Sequence, residues 1–244
     1  MELKAITIDF WNTIFDNSNG QKRNEYRMRS LFNEIDKFGI SVKADEFNSA
    51  MKASWEYFND VWKNQMRTPL PAETAVFFWQ KLGLPENEVG IKNLTGFFAD
   101  AVLKFPPKPI AGAKEAIEKL SGIFSLGIVS DTGFTPGAAL RQLLEIYDMK
   151  KYFSSFSFSD ETGVSKPHPK AFETALEGLD CLPENSLHIG DIEDTDIVGA
   201  KRMGMKSIRF SGDPSTTALM DNPKKSVADF ELNSWDEIVG LLYK

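Results

Sequence analysis

Cysteine is nearly absent from this chain. Cys181 stands alone, so no disulfide can close within it, and a reducing cytoplasm is the expected compartment. Histidine is almost as scarce: His168 and His188 are the only two, and they form no metal-ligand or triad spacing. No apolar run approaches the length of a membrane span, and no basic stretch followed by an apolar signal core opens the sequence, so neither membrane insertion nor export is expected. An excess of positive charge is missing too. The formal net charge is -7, which argues against the electrostatic footprint of a nucleic-acid binder. Internal repeats and low-complexity segments are also lacking.

What remains is ordinary for a globular protein, with 42% hydrophobic and 26% charged residues. A chain of 244 residues can bury one large domain and a small one. Leu3 to Asp9 reads as a buried strand. From about 17 to 104 the pattern is helical. Leu31, Phe32, Ile35 and Phe38 recur at helical spacing, as do Phe47, Met51, Phe58 and Trp62, with Trp55 on a neighbouring stripe. A helix around Phe77-Phe78-Trp79 and another through Leu94, Phe97, Phe98 and Val102 complete the segment, and Pro106, Pro107 and Pro109 mark its end.

Beyond this boundary strands and helices alternate. Strands are expected at Phe124–Val129, Phe153–Phe158, Leu187–Ile189, Lys206–Phe210 and Val227–Phe230. Helices are expected around residues 113–120, 139–147, 171–176, 197–203 and 235–242. Such alternation implies crossover units and a doubly wound, mostly parallel α/β sheet of Rossmann-like type. The expected division is a core of residues 1–16 and 105–244, interrupted after its first strand by a helical-bundle cap of residues 17–104. About half of the aromatic residues fall in the insert. They either fill its core or line a substrate entrance.

Open parallel sheets bind ligands at the C-terminal ends of their strands, and four polar signals fall there. Asp9 ends the first strand, in Ile-Thr-Ile-Asp-Phe-Trp-Asn-Thr, with Thr13 four residues on. Ser130 follows the strand ending at Val129. Lys166 lies in Gly-Val-Ser-Lys-Pro-His-Pro, and Asp191 in Gly-Asp-Ile-Glu-Asp-Thr-Asp. Singly, these read as a turn residue, a loop start, a solvated charge and an acidic helix start. Jointly, one ligand site explains all four.

Taken in order, these residues resemble the four motifs of the haloacid dehalogenase-like superfamily, and the long helical insert resembles the cap many members carry between their first and second motifs. The resemblance spans nearly the whole chain. It implies a hydrolase, and most directly a Mg²⁺-dependent phosphatase acting on a small-molecule phosphate ester through an aspartyl-phosphate intermediate. Asp9 is the implied nucleophile. Asp9, the carbonyl of Trp11 and Asp191 are the implied metal ligands, with Asp196 in support. Ser130 and Lys166 are implied to hold and neutralise the phosphoryl oxygens, helped by the backbone N–H groups of Phe10, Trp11 and Asp131.

The chain departs from the pattern at position 11. Superfamily phosphatases carry an Asp there as general acid/base; Trp11 has only an indole N–H to donate. Asp16, Asp131 or a residue of the insert are the candidates to replace it. An aromatic at this position and an aromatic-rich cap also suit a dehalogenase, whereas Asp191 and Asp196 favour phosphoryl chemistry. A third alternative is a regulatory protein that binds a phosphometabolite. His188 is expected in the core and His168 at a helix start, neither with a role. Lys63 and Arg67 of the insert are available to an anionic substrate. Either a monomer or a homodimer is compatible with the sequence.

Overall fold

The computed structural model describes residues 2–213 and 225–243; positions 1, 214–224 and 244 of the sequence-derived ranges lie outside them. Strand β1 (Ala5–Ile8) is buried on both faces, which is why its sequence is apolar without alternation. Four helices follow: α1 (Gly20–Asp36), α2 (Ala44–Gln65), α3 (Pro71–Lys81) and α4 (Glu88–Lys104). Pro71 opens α3, where the missing N–H costs nothing, and Asn87 caps α4 by accepting from the Gly90 N–H at 2.8 Å. Leu31, Ile35, Phe47, Phe78, Trp79, Leu94 and Phe98 form an apolar cluster of these helices, which Phe134 from outside the segment joins.

The chain then alternates through α5 (Ala113–Ser121), β2 (Ser125–Ser130), α6 (Gly137–Ile146), β3 (Ser155–Phe158), the short α7 (Ser159–Thr162), α8 (Pro169–Gly178), β4 (Ser186–Gly190), α9 (Val198–Arg202), β5 (Lys206–Phe210), β6 (Phe230–Leu232) and α10 (Trp235–Leu242). All described strands pair in parallel, in the order β3-β2-β1-β4-β5-β6. The chain leaves β1 toward β2 and β3 and returns to its other side with β4, so β1 and β4 flank the point where the winding reverses. Register aligns Ile8 with both Ile128 and Ile189, which brings Asp9, Ser130 and Asp191 to one edge of the sheet.

Two sequence expectations shift. The last strand starts at Phe230, three residues later than Val227, because the ladder pairs Phe230 with Ile208 while the Val227 N–H is taken by Glu193 at 2.8 Å. The helix expected at 197–203 is preceded by a wide turn, Glu193–Ile197, with π-type hydrogen bonding. The connections on either side of the four-helix segment run together: Asp16 N–H donates to the Lys108 carbonyl at 3.0 Å, and Asp16 Oδ1 accepts from the Lys108 N–H at 2.9 Å. No helix among the described residues is long and apolar enough to cross a membrane.

Candidate active site

At the winding reversal Asp9, Asp191 and Asp196 each bring a carboxylate oxygen within 4.8 Å of the others, all three buried. Lys166 reaches into this group. Its ammonium donates to Asp9 Oδ1 and, at 2.7 Å, to Asp196 Oδ1. Asp196 is saturated from behind: Oδ1 also accepts from His188 Nε2 at 2.9 Å, and Oδ2 from the Ile192 N–H at 3.1 Å. Because a carboxylate only accepts, the His188 Nε2 carries the proton, and Nδ1 accepts from the Thr7 hydroxyl at 2.8 Å. The wide turn at Glu193–Ile197 folds Asp196 back onto the end of β4. Gly190 makes room for it, since a Cβ at position 190 would lie 2.4 Å from Asp196 Cγ.

Electrostatics divide these groups. Burial would raise the Asp196 carboxyl, but Lys166 and His188 outweigh it and hold the group well below the usual carboxylate range. Burial would lower the Lys166 ammonium, but Asp196, Asp9 and Asp131 outweigh it and raise it. Burial wins at Asp9, pushing it up to about 7 against the pull of Lys166, and at Asp191, which Asp9 and Asp196 raise further. Burial also lowers His188, which keeps it neutral near pH 7. One ammonium therefore faces three carboxylates. The donors are all oxygens, and among the described residues Asp191 receives a hydrogen bond only from the Asn12 amide, at 3.3 Å. A hard divalent cation fits this set: Asp9, Asp191 and the Trp11 carbonyl could hold it, whereas Asp196 is occupied and acts as a brace.

The cluster opens into a cavity of about 390 Å³. Asp9, Trp11, Asn12, Asp131, Lys166 and Asp191 line it from the strand ends; Arg23, Arg27, Trp55, Phe58 and Trp62 line it from α1 and α2. The two sides are tied by Trp62 Nε1, which donates to Asp131 Oδ2 at 2.8 Å. Asp131 Oδ1 accepts from the Lys166 N–H at 3.0 Å, and burial raises the Asp131 carboxyl to about 6.

Several expectations change in detail. The Phe10 side chain lies in the core, so only its backbone can face a ligand. The N–H groups of Phe10, Trp11 and Asp131 donate to no backbone carbonyl among the described residues, which leaves them available as a cradle. Ser130 is buried with its hydroxyl 3.5 Å from the Asp131 carbonyl, and it is not part of the cavity wall. Asp16 stands apart from the cluster of Asp9, Asp191 and Asp196. It is absent from the cavity wall, and its Oδ1 accepts from Ser18 and Lys108 at the paired connections. Arg67 pairs with Glu73, and neither it nor Lys63 lines the cavity. His168 caps α8 as expected. Sequence reasoning missed His188, Asn12, Arg23 and Arg27. The arginines carried a signal: with Leu31 and Ile35 they continue one buried stripe of α1 at four-residue spacing, charge where apolar residues belong.

A family model of haloacid dehalogenase-like hydrolases matches residues 3–204. The chain belongs to this family. Among relatives of these hydrolases, the glyceraldehyde 3-phosphate phosphatase of Pyrococcus abyssi is 27% identical over 210 residues, covering 85% of this chain and 81% of that protein. The enzyme of the same name from Pyrococcus furiosus is 30% identical over 138 residues, a match that spans 55% of each, just over half of that relative's length. Among solved structures, a 2-haloacid dehalogenase from Pseudomonas syringae pv. Tomato DC3000 superposes with a TM-score of 0.69 at 17% identity, covering 99% of this chain and 98% of the other. At that identity the likeness speaks for the haloacid dehalogenase-like fold alone.

Proposed function

We propose that this hydrolase is a Mg²⁺-dependent phosphatase of small phosphate esters, working through an aspartyl phosphate on Asp9. One observation carries the reading: three buried carboxyl groups cluster beside a cavity around a single ammonium, which pairs with only two of them, Asp9 and Asp196. A substrate with little charge at its reacting carbon gives no reason to bury three carboxyl groups together, with burial raising two of them, whereas a dication bound there would keep them ionised and offset the charge of an arriving phosphoryl group. The phosphatase names of relatives that align over much of the chain point the same way.

In this reading Asp9, Asp191 and the Trp11 carbonyl hold the metal, which would supply the positive charge needed between a carboxylate nucleophile and phosphoryl oxygens. Lys166 orients Asp9 and neutralises the transferring group, and Asp196, backed by His188, fixes Lys166. A carboxylate oxygen of Asp9 attacks phosphorus, and the ester P–O bond breaks with its electron pair on the alcohol oxygen. That oxygen takes its proton from water, since Trp11 has no acidic proton to give. Water then attacks phosphorus, releasing phosphate and regenerating Asp9. Helices α1–α4 act as a cap, with hinges near residues 15–18 and 105–109, closing over the ester and excluding bulk water.

The test is phosphate release from a panel of esters that includes glyceraldehyde 3-phosphate, with Mg²⁺ and with chelator, and Asp9→Asn as control. Release that needs both Mg²⁺ and Asp9 supports the reading. The aromatic wall around Trp11 favours a dehalogenase as the second reading. Chloride release from 2-chloroacids without phosphate release from any ester would replace the first reading with it.

A further inference from the structure

The cavity holds two buried cations that the proposed chemistry does not use. Arg27, on α1, is only 6% exposed. Its Nη1 donates to Asn24 Oδ1 at 3.0 Å, and its Nε has no hydrogen-bond partner among the described residues. No carboxylate lies within 4.0 Å of it among the described residues. Arg23, one turn earlier, spends its Nη1 on the carbonyls of Ser18 and Phe105, at 2.7 and 3.1 Å, and has no ion-pair partner either. Buried guanidinium groups are normally paired, because removing the charge from water is costly. Here neither guanidinium has a carboxylate within 4.0 Å among the described residues, Asp16 acting on Arg23 only from farther away, and both side chains border the cavity that Asp9 and Lys166 also border.

The Arg27 guanidinium is also held in place. Its carbon lies 5.2 Å from the ring centre of Phe134 and 5.9 Å from that of Phe98, both buried, so two aromatic rings fix the fork. A fixed, planar, unpaired fork beside a cavity suits bidentate capture of a carboxylate or a phosphoryl group. Burial and the neighbouring Arg23 lower Arg27 to about 10, and an arriving anion relieves both effects.

We propose that Arg27 selects substrates: the esters this cavity accepts carry a second anionic group, a carboxylate or a second phosphoryl group, remote from the ester bond. The inference rests on the phosphatase reading and sharpens its substrate class. Arg27 acts in recognition, and Arg23 adds charge behind it.

The test compares 3-phosphoglycerate with glycerol 3-phosphate, which lacks the carboxylate. It uses kcat/KM for the Mg²⁺-loaded wild-type protein and calorimetric binding to Asp9→Asn. The expected result is a preference of at least about tenfold for 3-phosphoglycerate, carried mainly by KM. Replacing it with 1,3-propanediol bisphosphate tells a phosphoryl from a carboxylate preference. In Arg27→Met the preference should collapse toward one. In Arg27→Lys, which keeps the charge and guards against a misfolded Met variant, it should fall at least about threefold through KM. Mg²⁺-dependent release with equal kcat/KM for all three esters overturns the inference and leaves the phosphatase reading standing. A preference unchanged in either variant also overturns it. Neither binding nor release for any ester overturns both.

Discussion

The two walls of the cavity are built on different principles. On the strand side Lys166, Asp196, His188 and Thr7 form a chain of buried hydrogen bonds in which each polar group has a partner. On the helix side Trp55, Phe58, Trp62, Arg23 and Arg27 present aromatic surface and cations with few polar partners. The first wall is anchored by sheet register and cannot move without breaking buried ion pairs. The second is reached through paired connections and meets the first through isolated bonds such as Trp62 to Asp131 and Thr68 to Ser159. Catalytic charge on one wall and a recognition surface on the other is what a catalyst needs when one reaction serves a selected substrate.

Breaking the strand-side network should have the largest effect. Lys166→Met leaves Asp9 and Asp196 facing each other without a cation, and phosphate release should fall by about 10²–10³-fold in kcat. Initial rates on one good substrate check this, and a loss under threefold would show that the ammonium is not aimed at the reaction. Gly190→Ala probes the same network without removing a charge. The new Cβ would displace Asp196, and a drop in both thermal stability and rate is expected from melting curves and rates on the same preparation.

The next effect concerns protons and metal. Asp9 titrates near 7 in the metal-free fold because burial disfavours its charge, against 3.8 for an unperturbed carboxyl. A raised folded-state value means that this group's stabilising contribution is complete below pH 3.8 and is lost as pH rises toward 7. Metal-free protein should therefore lose stability across that window. Mg²⁺ replaces the proton, so the rise in Tm on adding Mg²⁺ should be larger at pH 8 than at pH 6. Melting curves at the two pH values decide; a shift that shrinks with pH would contradict the assignment of Asp9 as a ligand.

The smallest effect sharpens the boundary between the walls. Trp11 belongs to the strand side by sequence but contributes aromatic surface, edge-on to Phe10 at 5.3 Å. Trp11→Asp restores an acid there. Rates with poor leaving groups such as alkyl phosphates should rise by about tenfold, while aryl phosphates change little. A leaving-group series in the two proteins measures it. Equal slopes would mean that a proton already reaches the leaving oxygen by another route.

The strand side was largely legible in the sequence, because Asp9, Ser130 and Asp191 each close an apolar run and parallel register then forces those ends together, while Lys166 enters from the loop beyond α7. Asp9 and Asp191 stand where that logic puts them, and the loop carrying Lys166 brings its ammonium to Asp9. His188 was not legible. On a strand buried on both faces nothing in the local pattern separates a packed histidine from a bracing one, and its role depends on a turn that folds Asp196 back across eight residues. Ser130 shows the converse: position at a strand end does not make its hydroxyl part of the cavity wall. On the helix side periodicity found the helices but could not tell which aromatics face the core. Phe47, Phe78 and Phe98 do, whereas Trp55, Phe58 and Trp62 face the cavity, because that choice depends on how α2 meets the loop at Gly133 and Phe134.

The central claim is that Asp9 attacks phosphorus in a Mg²⁺-loaded site. Its most direct test is mass spectrometry of the protein quenched in acid during turnover of a phosphate ester, with Asp9→Asn alongside. The account predicts a phosphoryl adduct on the peptide containing Asp9, formed only with Mg²⁺ and absent from the variant. Phosphate release at full rate by Asp9→Asn, or an adduct on another residue, would contradict it.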